Sequence, residues 1–516
     1  MKIGFAQEII TPPIGVDLDG YFNERLNVGM YDDLYVKSIV FETAGKRCGI
    51  VVFDLLGYCQ SLRDLVRTRV AEELGQDLAD GLIITATHTH TGPRCRALDG
   101  DNKALIKDMA DAAFRSIKRS VANLQDGELE AASVYNNPYA FVRRYFMKSG
   151  AIVTNPGWRN PEIDRPESEF DRTIEILGIR QGGRLAALIC NIANHGDTIG
   201  GNLVSADWYG RMTQAIQYEL KESIPVLILD DASGDINHFD FRQDIKQTGY
   251  GEAVRIGRGY ARIVLDALKD LKPINTDFIK VSNGTVTIPH RKLTEAELAE
   301  AQHILDTVPD IKKDGDFESQ DLANKVPAAL RHFAQRALDC HAKSKPSHSC
   351  RMTNIRVGDS LMFSTLPGKV LMELPVRSVK RVPANILLLW SLLRMFPVMF
   401  PCRNALNAVD MKCSLESILL HRKLQMLSLK RQLSFSDIDY RMFREKQQRD
   451  ERSPAVFLWF HPQFQCSFCQ LSCNCGCLRS IFRSKNGFPF FIEKNSVSAV
   501  QNGFRIQFFQ GINAMI

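Results

Sequence analysis

The chain has 516 residues, 45% of them hydrophobic, enough to bury a sizeable core spread over roughly two to four domains. Its formal charge of +6 hides a split: residues 382–516 hold 17 Lys and Arg against 8 Asp and Glu, whereas residues 1–381 hold 48 against 51. A near-neutral body excludes the broad basic surface that a nucleic-acid partner requires, so none is expected.

Cysteine divides the same way. Cys48, Cys59, Cys95, Cys190, Cys340 and Cys350 scatter through the body, as in a reducing compartment, and the other seven crowd the last 135 residues. The N-terminus, MKIGFAQEIITPPIG, has no basic region leading into an apolar one, so no secretory signal is read and a cytoplasmic location is expected. The longest apolar stretch, residues 384–400, is interrupted by Arg394 and Pro397 and is too short for a transmembrane segment.

In chain order, residues 48–57 form an apolar, β-branched run that reads as a strand. Residues 61–75 follow with helical spacing and a glycine stop. GLIITATHTH, residues 81–90, is the next strand and residues 104–124 the next amphipathic helix. RLAALICNIANHGD and IPVLILDDASGD read as buried strands ending in polar loops, with a helix over about 206–222 between them. Strands alternating with helices predict an α/β fold with a largely parallel or mixed sheet flanked by helices. Functional groups gather at the carboxyl ends of such strands. Three polar loops fall there: THTHTGP, NHGDT and SGDINH. Residues 293–345 are charged and helical, 350–374 read as strand, turn and helix, and no internal repeat is visible.

His88 and His90 stand at i and i+2, so on a continuing strand both imidazoles face the same side. Such a pair presents two nitrogens to one metal, or one to a metal and one to a substrate. A single strand histidine is otherwise an ordinary core residue with a backbone partner. The pair is followed by a Thr-Gly-Pro turn, and zinc needs two or three further ligands from distant segments. His195 stands at a second strand mouth. Asp197 either orients an imidazole or caps the next turn. Asp230, Asp231, Asp235 and His238 belong first to a tight turn and to a site only by association. There is no Gly-x-Ser-x-Gly elbow, no phosphate-binding loop and no dinucleotide fingerprint, which leaves zinc-dependent hydrolysis as the leading reading.

Several segments occur together and in order: GFAQEIITPPIGVDLDGY, GMYDDLYVKSIVFE, VVFDLLG, ITATHTHTGP, NHGDT, SADWYG and SGDIN. In this, residues 1 to about 381 resemble the catalytic domain of the neutral/alkaline ceramidases and their shorter bacterial relatives. The resemblance implies a zinc amidohydrolase that cleaves the N-acyl bond of ceramide or a related compound, with one Zn2+ as cofactor and a small-molecule or lipid N-acyl substrate as partner. It matches His88 and His195 to the two zinc-binding histidines and His90 to a catalytic neighbour that hydrogen-bonds the substrate. The family completes its zinc site with a Glu in a Leu-Pro-Gly-Glu turn and with a later Tyr. Here the turn reads LPGKV, with Lys369 at the Glu position, and the Tyr is missing. An ammonium cannot ligate zinc, and Glu373 lies one helical turn away. Activity of the chain as written is expected to be impaired, and a non-catalytic binding protein keeping the fold is the alternative.

Beyond about residue 382 neither periodicity persists. Reading the third base of each codon from Pro383 with the first two of the next allows a string containing a Gly-Gly-Tyr-Glu turn and a stop across Ile438 and Asp439. Part of it is forced: Met has one codon, so Met411–Lys412 must yield that Glu, and Met395–Phe396 and Met399–Phe400 must each yield Val. Residues 382–516 are therefore expected to be an out-of-frame and read-through tail, with 439–516 lacking the recurrent apolar face that a stable fold needs. On this account CSFCQLSCNCGC, residues 466–477, is not a metal knuckle. The nucleotide sequence over codons 375–440 checks this. One gained or lost base near codon 382 is expected, and an Asp410 codon ending in C, which puts His where the Tyr belongs, overturns it.

Overall fold

The computed structural model describes residues 1–21, 23–95, 102–289, 292–311, 321, 324–343 and 347–368. Beyond these it describes strands Leu387–Leu393, Met395–Phe396, Ser480–Arg483, Pro489–Glu493, Ser496–Gln501 and Phe504–Phe508. Two compact units, Met1–Ser436 and Asp437–Ile516, divide the chain.

The first sheet grows from strands that the sequence reading only half captured. β1 (Lys2–Ile9), β2 (Tyr35–Thr43) and β3 (Lys46–Phe53) pair antiparallel in succession. Helix α1 (Gln60–Leu74) then returns the chain to β4 (Leu82–Ala86), parallel to β3, and α2 (Asn102–Ala122) follows. α1 stops at Gly75, whose φ of +108° suits glycine alone among the residues there.

The second sheet repeats this plan. β5 (Glu128–Tyr135), β6 (Thr173–Gln181) and β7 (Arg184–Ile192) pair antiparallel. α3 (Asp207–Leu220) leads to β8 (Val226–Asp230), parallel to β7, and α4 (Tyr250–Ala267) follows. A two-residue strand closes the far edge of each sheet, Gln125–Asp126 on β1 and Lys272–Pro273 on β5. The chain therefore carries an internal repeat of topology that its sequence does not show. Strand order depends on which positions are apolar rather than on residue identity, so the two halves share a plan without sharing letters. The predicted α/β class stands, with mixed sheets in which one pair each, β3–β4 and β7–β8, is parallel.

Both faces of each sheet are covered, which explains why the central strands read as continuous apolar runs. Ile3, Phe41, Ile50 and Ile83 of the first sheet pack against Leu129, Leu177, Ile189 and Leu227 of the second. On the opposite face, Val51 and Ile84 meet Leu62 and Val66 of α1 and Phe114 and Ile117 of α2. Leu188 and Ile228 likewise meet Met212 of α3 and Ile256 and Val264 of α4. The result is a four-layer α/β/β/α sandwich.

A third sheet extends the middle layers. β9 (Ile279–Pro289), β10 (Ser347–Val357) and β11 (Leu361–Pro367) pair antiparallel, and Ile355, Val357 and Phe363 join the inter-sheet core. Helices α5 (Glu295–Thr307) and α6 (Pro327–Lys343) lie between β9 and β10, as the charged helical stretch predicts. Of residues 350–374, expected as strand, turn and helix, the described part forms two strands through residue 367, with Leu361, Phe363 and Leu366 buried, and residues 369–374 lie outside the described residues. Past the compositional boundary at 381, Leu387–Leu393 pairs parallel with β11 and Met395–Phe396 with Tyr58–Cys59. In the second unit, Ser480–Arg483, Pro489–Glu493, Ser496–Gln501 and Phe504–Phe508 form an antiparallel meander.

Glu175 on β6 generates a stability prediction. Burial pushes its carboxyl up to about 7, opposed by the Ser133 hydroxyl that donates to it and reinforced by Asp231 and Asp171. A carboxyl raised on folding contributes stability that is present below its unfolded pKa of about 4.3 and is lost as pH rises through the folded value. Glu175→Gln should therefore melt like the parent at pH 4.5 and increasingly above it between pH 5 and 7. Thermal melts across that range check it, and a constant offset between the two proteins would contradict it.

Candidate metal centre

β4 ends at Ala86, earlier than the sequence pattern predicts, so His88 and His90 belong to a loop rather than to a strand face. Their convergence has a different cause. His88 sits at φ +79°, a left-handed conformation that a side chain rarely adopts. Its N–H donates to the Leu55 carbonyl at 2.9 Å and its Nδ1 lies 2.8 Å from the Leu56 carbonyl oxygen. Backbone and ring are thus gripped by one neighbouring turn.

The second loop follows β7. Thr89 forms a parallel bridge with Gly196, and the His90 N–H donates to the Gly196 carbonyl at 2.8 Å. Only glycine fits there: a Cβ on residue 196 would lie 2.4 Å from the Tyr209 ring and 2.8 Å from the His88 carbonyl oxygen. His195, 3% exposed, turns its Nδ1 to the Ile236 carbonyl at 2.6 Å, in the loop after β8. All three predicted loops therefore meet, two supplying imidazoles and the third a carbonyl.

The three rings cluster. His88 and His195 have centroids 4.9 Å apart, His88 and His90 4.9 Å, and His90 and His195 5.6 Å. One nitrogen from each lies within 4.8 Å of the others, a spacing able to hold a metal ion, and among the described residues no other such group of His, Cys, Asp or Glu occurs. Nε2 of His90 is 3.3 Å from Nε2 of His88.

Asp197 does not cap a turn. Its Oδ1 stands 3.2 Å from Nδ1 of His90 and accepts from the Tyr21 hydroxyl at 2.8 Å. Burial pushes the Asp197 carboxyl up to about 7, against the Tyr21 hydrogen bond. The capping duty falls to Asp207, which accepts from the backbone N–H groups of Thr198, Ile199 and Trp208 and so pins the His195 loop to α3. The Trp208 indole donates to the His195 carbonyl at 2.8 Å.

Residues that sequence reasoning passed over complete the frame. The guanidinium of Arg25 donates to the carbonyls of His90 and Asp19 at 2.7 Å and of Gly201 at 2.9 Å, and lies over the Tyr21 ring. Arg143 donates to the Gly234 carbonyl, and Asp197 and Asp235 lie close enough to act on it electrostatically. Both stand in segments whose surrounding motifs carry no recognised signature, so only contact reveals them.

Other predicted site residues stay outside. Asp230 accepts from Ser233 within its own turn, and Asp231 and Asp235 accept from Asn191 and Ser168 of other segments. His238 is buried with Nε2 2.9 Å from the Gln247 carbonyl oxygen, and burial pushes its pKa down to about 4. Lys369, Glu373 and the codons proposed to encode the displaced Tyr lie outside the described residues.

This is a helix-flanked double-sheet fold with a buried imidazole cluster at the strand ends. Among solved structures it is similar to the neutral ceramidase from Pseudomonas aeruginosa, with a TM-score of 0.57 and 16% identity over 83% of this chain and 74% of that one. It is also similar to a ceramidase complexed with C2, with a TM-score of 0.54 and 16% identity over 82% and 75%. At that identity the likeness is one of fold. No family model and no curated protein sequence matches the chain. Among the described residues no helix is long and apolar enough to cross a membrane.

Gly196→Ala tests the close approach of the loops. The inserted methyl meets backbone on one side and a buried ring on the other, so a loss of roughly 1–3 kcal/mol is expected. Urea unfolding with an unchanged m-value checks it, and stability within 0.5 kcal/mol of the parent would show that the loops separate freely.

Proposed function

We propose that this chain belongs to a lineage of zinc-dependent amidohydrolases that cleave the N-acyl bond of ceramide or a related N-acyl compound. The observation that carries the reading is the buried cluster of His88, His90 and His195 at the strand ends of a ceramidase-like fold. The donor set suits zinc, which takes imidazole nitrogens at about 2.0–2.1 Å in a tetrahedral shell. Calcium and magnesium, which take oxygen ligands, fit this set poorly.

A zinc ion held there supplies Lewis acidity and makes hydroxide accessible near neutral pH. His88 and His195, their Nδ1 atoms directed at carbonyls, present Nε2 inward. Asp197 holds the His90 ring, and the resemblance gives that imidazole contact with the substrate. Lys369 in place of the ligand Glu, together with the missing Tyr, leaves the chain as written with a damaged site. Residues 382–516 are on this reading the product of a frameshift rather than a native domain.

Two measurements test the reading. The purified chain should carry zinc near stoichiometry and lose it in the His88→Ala, His195→Ala double variant. A chain with Lys369→Glu and its reading frame restored should hydrolyse ceramide or short N-acyl amides, while the written chain does so weakly or not at all. Hydrolysis of the short amides alone would reassign the substrate. Zinc binding with no hydrolysis of either by the repaired chain would favour the binding-protein alternative.

A further inference from the structure

We propose that Cys59 and Cys95 form a redox-active thiol pair whose reversible disulfide latches the loop carrying His88 and His90 to the turn that grips it. Both cysteines lie outside the histidine cluster, and nothing in the proposal requires an ion there.

The two residues are 36 positions apart in the chain and meet in one core at the start of α1. Both are reduced and buried, Cys59 at 3% exposed and Cys95 at 0%. Their thiols share a hydrogen bond, with Cys95 donating. That bond brings the Cys59 thiol down to about 7, and the backbone N–H groups of Leu62 and Ser61 at the start of α1 pull the same way against burial. The same bond, together with burial, holds the Cys95 thiol well above the ordinary range. One sulfur is thus ready to attack as thiolate while the other keeps the proton, the division of labour on which redox dithiols depend. Other buried cysteines differ. Burial alone pushes the Cys48 and Cys190 thiols up, the latter to about 12, which keeps them inert.

The place of the pair in the fold gives the bond a consequence. Cys59 closes the turn whose Leu55 carbonyl accepts from the His88 N–H at 2.9 Å and whose Leu56 carbonyl faces the His88 ring at 2.8 Å. Cys95 closes the loop that carries His88 and His90, just past the Leu18–Pro93 bridge and the Arg94 N–H that donates to the Asp17 carbonyl at 2.9 Å. Turn and loop already touch at Gly92, where a Cβ would lie 3.1 Å from the Asp54 carbonyl oxygen. A disulfide adds a tie between them that oxidation makes and reduction breaks. Gln60, the next residue, is exposed, so a small oxidant has little chain to pass.

A hydroperoxide supplies the oxidising equivalents. The Cys59 thiolate attacks a peroxide oxygen, forming the S–O bond of a sulfenic acid and breaking O–O, and the hydroxide released takes up a proton as water. The Cys95 sulfur then attacks the sulfenic sulfur, so that S–S forms, S–O breaks, and the hydroxyl leaves with the Cys95 proton as a second water. Two electrons pass from the thiol pair to the peroxide, and a reducing dithiol returns them by exchange.

The test uses the full chain, reduced and then freed of reductant, with hydrogen peroxide as the probe. Peptide mapping of the folded protein should show Cys59 joined to Cys95, two hydrogens lighter than the free pair, before Cys48 or Cys190 is modified. Dithiothreitol should restore both thiols. In Cys95→Ser, dimedone should trap Cys59 as the sulfenic acid, and in Cys59→Ser the Cys95 thiol should persist. Amide exchange over residues 87–95 should slow several-fold in the oxidised parent. A folded parent that keeps both thiols while the half-exposed Cys340 oxidises, or that forms the bond only after denaturation, would overturn the proposal without any variant having to fold. A bond that forms and leaves exchange over 87–95 unchanged would overturn the latch.

Discussion

The site hangs on the contact of two loop backbones at Thr89 and Gly196. The bridge there brings the loop after β4 against the loop after β7, and nothing larger than a hydrogen can occupy the inner face of residue 196. From that contact the placement of His88, His90 and His195 follows, because all three lie within two residues of it. Arg25 secures it from the other side with three charge-assisted hydrogen bonds to carbonyls, each worth more than a neutral one.

The repeated topology explains why the contact exists. Each half of the sandwich has one parallel strand pair, β3–β4 and β7–β8, and loops leave the carboxyl ends of these strands. Packed face to face through the Ile3–Leu177 core, the two halves bring those loop sets to one place. Neither half carries the whole cluster. The first supplies His88 and His90, the second His195 and the carbonyl that orients it.

Holding polar groups inside this seam requires that each find a partner, since an unpaired buried polar atom is costly. Asn194 donates to the Tyr139 carbonyl and the Tyr260 hydroxyl, and Tyr260 donates to Asn137, which reaches back to the Ala193 carbonyl. Asp32 accepts from Ser205 and Ala206 and pairs with Arg211 at 3.0 Å, anchoring the start of α3. His88 and Asp207 beside the cluster both adopt positive φ, at a cost of order 1–3 kcal/mol each. The surrounding network over-determines both conformations.

The sequence by itself determined the α/β class, the helices α1 to α3 to within a few residues, and the three loops that matter. It did so because these depend on local apolar periodicity, glycine stops and polar residues closing an apolar run. His88, His90 and His195 were legible as candidates for the same reason: histidines at strand mouths stand out against their flanks. The antiparallel strands β1, β2, β5 and β6 were less visible, since β2 is buried along most of its length and β1 and β5 mix buried and exposed positions without strict alternation. The repeat was invisible, because matching folds need only matching burial. What only the tertiary structure decided is how the histidines converge. A left-handed backbone at His88, a carboxylate 107 residues beyond His90 in Asp197, and a guanidinium 65 residues before it in Arg25 act through space. Such pairings carry no periodic signal, since sequence separation places no bound on distance once the chain has folded.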